Sequence, residues 1–125
     1  KKIKLDYPHG TGHGVGYFLN VHEGPQSLSK NSKVNLKSGM VISNEPGYYK
    51  EGSFGIRIEN LVYIKKNKFE ELTIAPIEKD LINKKFLNKK EVKWFNKYHE
   101  KVKRSLFKFM NFQEKRELTK ACSPI

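Results

Sequence analysis

The sequence holds a single cysteine, Cys122, near its end. One thiol excludes an internal disulfide and a cysteine-based zinc site, and it suits a reducing compartment, so a cytoplasmic setting is the expectation. There is also no apolar run near the roughly 18 to 20 residues that a membrane span needs, and residues 1–6 do not read as a signal peptide. No membrane partner is therefore expected. Acidic residues are scarce, 13 Asp and Glu against 25 Lys and Arg, which leaves a net charge of +12. No internal repeat and no low-complexity linker interrupts the chain.

What is there is enough for one domain, or part of one: 125 residues, 14.6 kDa, 37% hydrophobic and 12% aromatic. That apolar share argues against wholesale disorder, while a mean hydropathy of −0.71 implies a very polar surface. A charge of +12 attracts nucleic acid or anionic surfaces without any specific site. The lysines, however, are spread as singles and pairs rather than gathered in a compact basic arm. They read as a solvated surface, and nucleic acid is not expected as a partner.

Residues 6–25, DYPHGTGHGVGYFLNVHEGP, are dense in glycine and histidine, so a turn followed by an extended segment is predicted rather than a helix. Two strands follow at 40–45 and 56–64, separated by Pro46-Gly47 and the segment 50–55, as a hairpin with a long connection. The short run LTIAPI at 72–77 reads as a further strand, limited to an end or edge by Pro76. From Val92 the character changes. Val92, Phe95, Tyr98, Val102, Leu106 and Phe109 recur at steps of three, four or seven, predicting an amphipathic helix of about 20 residues with a core-packing stripe. Beyond Asn111 a short helix and a tail are expected.

Strand alternation puts Arg57, Glu59, Leu61 and Tyr63 on one face of the second strand. Pro46 pushes Glu45 toward extended geometry and ends the first strand, so its carboxylate projects beside the turn. If the two strands pair, Glu45 and Glu59 converge, and two facing carboxylates need protons, an arginine or a metal to stay there. Each glutamate taken alone reads more readily as a solvated surface residue. His9 and His13 are four apart, with His22 nine further on. Glycines at 10, 12, 14 and 16 remove bulk around His13 and would admit a substrate or metal. A loop histidine or a satisfied core histidine is the competing explanation, and a His-plus-carboxylate metal site the functional one. Nucleotide and nucleophile signatures fail: the glycines lack GxGxxG spacing, no G-K-[ST] ends them, and no HExxH, GxSxG or Cys-His arrangement occurs.

Three ordered stretches, HGTGHGVGYFLNVHEGP, GMVISNEPGYY and FGIRIENLVYI, closely resemble the aminopeptidase P family of the pita-bread metallopeptidases. The resemblance covers about residues 5 to 64, and LTIAPI followed by a long helix with Trp94 and Tyr98 is similar to the end of that domain. It implies an α/β (α+β) pita-bread fold, the C-terminal half only, with a strand hairpin followed by a long C-terminal helix. Residues 1–110 would form that half and 111–125 an extension or tail. It also implies a dimetal hydrolase that removes the N-terminal residue from peptides with proline in second position. In that family two aspartates, one histidine and two glutamates hold two divalent metals; only the last three find counterparts here, as His13 in GTGHG, Glu45 in NEPGYY and Glu59 in RIEN. His9 and His22 match its non-ligand active-site histidines and Arg57 an arginine that orients the site. Asp6 is not placed to be either aspartate, so an upstream part of the same enzyme is implied as a partner, and a homodimer is left open. Carboxylate-rich ligation favours manganese, with zinc or cobalt as alternatives. Two other readings stay open: a methionine aminopeptidase-like enzyme, which shares fold and ligand types, and a non-catalytic pita-bread module that binds nucleic acid or protein.

Overall fold

The structure, a computed structural model, describes residues 5–18 and 20–125. Residues 1–4 and Leu19, the latter inside the expected turn-and-extended stretch, lie outside the described residues. The chain divides into two compact units, Lys1–Thr73 and Ile74–Ile125.

The first unit is built on β-structure. Strand β1 (Gly12–His13) pairs antiparallel with β2 (Ser27–Leu28), and β3 (Val41–Asn44) pairs with β6 (Asn60–Lys65), which in turn pairs with β7 (Lys68–Glu71). A separate two-stranded ribbon joins β4 (Gly47–Lys50) to β5 (Phe54–Arg57). The expected hairpin between 40–45 and 56–64 therefore exists, with Ser43 opposite Leu61 and Asn44 opposite Asn60. Its second strand is broken at Ile58-Glu59, because residues 54–57 pair across the connection with 47–50 instead of continuing the larger sheet. Alternate inward residues Ile42, Val62 and Ile64 are buried, with Leu28, Leu36 and Met40 packed against them. Burying such side chains stabilises by roughly 1.5 to 3 kcal/mol each.

Strand β7 is not where the sequence placed a third strand. Lys66 and Asn67 both adopt positive φ, 48° and 61°, and turn the chain in two residues from Lys65 to Lys68. Residues 72–77 form no strand. The backbone there finds other partners: Leu72 N–H donates to the Leu61 carbonyl at 2.9 Å and Ala75 C=O accepts from the Tyr98 hydroxyl at 2.9 Å. Ile77 N–H donates to His99 Nε2 at 3.0 Å, and Pro76 has no N–H to place.

In the second unit α1 (Lys89–Leu106) begins at Asn88, whose side chain accepts from Lys90 N–H and Glu91 N–H while Glu91 returns a bond to Asn88 N–H. This reciprocal cap satisfies orphan donors and fixes the start. The helix runs into a single 3-10 turn at Phe107–Phe109, and α2 (Phe112–Ala121) starts on a second such cap at Asn111. The predicted stripe is half right. Phe95, Tyr98 and Val102 are buried, but Phe109 is 75% exposed because the helix has already ended. Tyr98 and Val102 pack with Leu118 and Cys122, with Ile77, Leu106 and Met110 around them. Burial in this core pushes the Cys122 thiol up. No helix among the described residues is long and apolar enough to cross a membrane.

Candidate metal centre

His13 is held from three sides. Glu45 N–H donates to the Thr11 carbonyl at 2.8 Å and Val15 N–H to the Val41 carbonyl at 3.2 Å, so the glycine-rich segment is tied to β3 on both sides of the histidine. Between those ties His13 N–H donates to Ser43 Oγ at 2.9 Å. A Cβ on Gly12 would lie 1.9 Å from the Ser43 carbonyl oxygen. The glycine there serves the approach of the chain's own β3, rather than making room for a ligand as the sequence had implied. His13 Nδ1 lies 2.9 Å from the Gly14 carbonyl, and a carbonyl can only accept, so Nδ1 donates and the neutral ring offers its lone pair at Nε2. That Nε2 faces Glu45 Oε1 at 3.4 Å.

Glu45 follows β3 directly and is only 9% exposed. The fully buried Ser43 hydroxyl donates to its Oε1 at 2.9 Å, so one serine fixes both the histidine backbone and the glutamate side chain. Glu59, in the break between β5 and β6, is exposed. Arg57 lies between the two carboxylates, with NH1 3.6 Å from Glu45 Oε2 and Nε 3.2 Å from Glu59 Oε2. The hydrogen bond to Tyr49 first, and the charge of Glu59 next, push the Arg57 guanidinium above its ordinary value. Ligand atoms of His13, Glu45 and Glu59 all lie within 4.8 Å of one another.

The other two histidines flank this group. The His22 ring centroid is 4.0 Å from that of His13, the planes inclined by 35°. His9 Nε2 lies 2.6 Å from the Tyr49 hydroxyl, and its Nδ1 donates to the Gly10 carbonyl at 2.8 Å. Tyr49 is thus the link between His9 and Arg57, and sequence reasoning had given it no role. Its signal was in the hairpin register: Gly55 sits opposite Tyr49, and a Cβ there would meet the ring at 2.8 Å, so only glycine lets the ring lie across the ribbon. Ser43 was also missed, since a serine in an apolar strand carries no signal of its own. All six residues expected at the site, His9, His13, His22, Glu45, Arg57 and Glu59, fall into this one connected group.

The donor chemistry fits a divalent cation: the Nε2 position of an imidazole whose Nδ1 is occupied by a carbonyl, and two carboxylates, oriented by that carbonyl, a serine and an arginine. By contrast His99, the fourth histidine, is fully buried in the second unit and accepts from Ile77 N–H. Burial first, then the charge of Lys79, push its imidazole below the ordinary value of 6.5.

Such a hairpin with histidine and paired glutamates defines a class. The chain belongs to metallopeptidase family M24, whose family model matches residues 1–66, and a second model for the C-terminal region of the same family matches residues 65–125. Within that class the similarity is to Xaa-Pro aminopeptidases. "Probable Xaa-Pro aminopeptidase P" of Coprinopsis cinerea is 50% identical over 113 residues, covering 78% of this chain and 18% of that protein. "Xaa-Pro aminopeptidase 1" of Dictyostelium discoideum is 46% identical over 113 residues, covering 80% of the chain and 18% of that protein. The crystal structure of X-prolyl aminopeptidase from Caenorhabditis elegans, described as a cytosolic enzyme with a di-nuclear active site, matches 99% of this chain and 23% of its own length, with a TM-score of 0.85 and 37% identity. The fold is accordingly that of the C-terminal half of the pita-bread proteins, a hairpin-based sheet followed by a long helix. The chain spans about a fifth of the length of the relatives it matches.

Proposed function

We propose that this chain forms the second part of the dimetal site of an Xaa-Pro aminopeptidase, with His13, Glu45 and Glu59 as metal ligands. The observation that carries the reading is the convergence of those three donors within 4.8 Å, with His13 held by the Gly14 carbonyl, Glu45 by Ser43 and Glu59 by Arg57. Two divalent cations held there would supply a hydroxide nucleophile near neutral pH and polarise the scissile carbonyl. The chain's own residues do the rest. Gly14 and Ser43 aim the His13 imidazole and the Glu45 carboxylate, and Arg57 keeps the two carboxylates apart in fixed orientations. His22, beside His13, contacts the substrate near the reacting carbonyl. His9 is positioned by Tyr49 for the proline side.

Manganese is the metal this oxygen-rich donor set favours, ahead of zinc and cobalt. The two remaining ligands are aspartates from an upstream segment of the same enzyme, consistent with relatives some five times as long. Residues 1–110 complete the pita-bread half and 111–125 extend it. A cytoplasmic setting is supported by the cytosolic nematode enzyme. The substrates on this reading are peptides with proline in second position.

The test is to join the chain to an upstream segment that carries the two aspartates and to assay release of the N-terminal residue from an Xaa-Pro peptide. Turnover that disappears in Glu59→Ala is expected. Full turnover in that variant contradicts the assignment. The 125-residue chain alone is expected to show no turnover, because three donors do not complete a two-metal site; hydrolysis by the purified chain overturns that statement.

A further inference from the structure

Charge is unevenly shared between the two units. Residues 74–125 hold fourteen of the 25 Lys and Arg but only six of the 13 Asp and Glu, a surplus of eight within the total of +12. In that unit a groove of about 770 Å³ opens along α1. Its apolar floor is formed by the half-buried Leu87 and Val92 with the buried Cys122, and the exposed Pro124 also lines it. Its rim carries Lys84, Lys89, Lys93 and Lys97, with Lys103 also lining it and Glu100 the one acid among the lining residues.

The wall opposite α1 is a fixed structure. Ile125 N–H donates to Asn96 Oδ1 at 3.1 Å, and Lys79 Nζ donates to the Lys120 carbonyl at the end of α2 at 2.7 Å and to the Ser123 carbonyl at 3.4 Å, tying the segment after α2 into place. Lys89, Lys93 and Lys97 stand four residues apart on one helix face, so their row spans about 12 Å at a rise of 1.5 Å per residue. Like charges at that spacing destabilise a helix slightly, and an extended anion laid along the row removes the repulsion.

The lining discriminates among anions. None of the groove residues is aromatic, so the bases of a nucleic acid would find no stacking surface. Leu87 and Val92 are half-buried while Lys89, Lys93 and Lys97 are exposed, so a flat lipid surface meets the lysines before the apolar groups. A single phosphate would engage one end of a row about 12 Å long. We infer that this groove receives an acidic polypeptide segment with apolar side chains, its carboxylates along the lysine row and its apolar groups on the floor. It shares no residue with the metal centre.

Fluorescence anisotropy of labelled twelve-residue peptides at about 0.15 M salt tests this, the salt removing weak long-range attraction. A Glu–Leu repeat is expected to bind the 125-residue chain, and a Glu–Ser repeat of equal charge to bind several-fold more weakly. Binding should fall at least about tenfold in Lys89→Glu/Lys93→Glu/Lys97→Glu, a loss of about 1.4 kcal/mol, and several-fold in Val92→Ser. Circular dichroism checks folding; if the triple variant fails to fold, Lys93→Gln/Lys97→Gln takes its place and must weaken binding several-fold. No binding, unchanged binding in the folded variants, or equal competition by the Glu–Ser peptide, a single-stranded oligonucleotide or phosphatidylserine vesicles overturns the inference.

Discussion

At the scale of single residues the site depends on small side chains as much as on donors. Ser43 joins His13 to Glu45, and Gly12 lets β1 close on β3. A methyl group at residue 12, 1.9 Å from a backbone oxygen, cannot be relieved by a rotamer change. Gly12→Ala is therefore expected to lower stability by about 1 to 3 kcal/mol, the range for overpacking, and to weaken metal binding with it. Urea unfolding and a metal titration check both; an unchanged midpoint contradicts the packing argument. His22 differs because it touches His13 by ring contact and is not one of the three converging donors. In the metal-complete enzyme His22→Ala is expected to keep its metal and lose kcat, and loss of metal from a folded variant would refute its non-ligand role.

The convergence of Glu45 and Glu59 was legible in strand pairing and in the proline after the first glutamate, while the reading of His13, Glu45 and Glu59 together as ligands came from the resemblance of the three motifs. Tyr49 and Ser43 were not legible, because their roles arise from register. Only the pairing of Tyr49 with Gly55 shows why the ring crosses the ribbon, and only the closing of β1 on β3 makes a core serine a double partner.

At the scale of elements the sequence read type well and boundaries poorly. The β3–β6 hairpin and the long helix are present, while the break at Ile58-Glu59 escaped notice because Ile-Arg-Ile-Glu alternates as smoothly as any strand. Strand β7 escaped because Lys66-Asn67 is not one of the usual glycine turns, although asparagine tolerates positive φ. The segment 72–77 looked like a strand because it is apolar. Its backbone is instead held by Leu61, Tyr98 and His99.

That last contact makes a pH prediction. His99 Nε2 accepts from Ile77, so its proton sits on Nδ1, which has no hydrogen-bond partner among the described residues. Burial holds the folded pKa below the unfolded value of 6.5, so between those two values the unfolded chain binds more protons. Stability is then full above about pH 6.5 and falls as pH drops from there toward the folded value. Thermal melting at pH 7.5 and 5.5 should give a lower midpoint in acid, with a smaller difference in His99→Gln, whose carbonyl can still accept from Ile77. Equal sensitivity of the two proteins contradicts this.

At the scale of the whole molecule, the two units divide the chemistry. The first carries every residue of the candidate metal centre, and the second carries most of the surplus charge together with the helices of the family's C-terminal region. The chain spans about a fifth of its relatives, which accords with the proposal that its three donors are part of a larger ligand set. On the proposed reading the remaining ligands are aspartates, and the chain has only two, Asp6 and Asp80, neither in the converging group.

The most direct measurement is the metal content of the chain joined to an aspartate-bearing upstream segment, loaded with manganese and counted by mass spectrometry beside its Glu59→Ala variant. Two ions per molecule in the parent and a loss of one or both in the variant, with folding intact by circular dichroism, are the predicted result. Two ions retained in Glu59→Ala would contradict the assignment of His13, Glu45 and Glu59 as one metal-binding group.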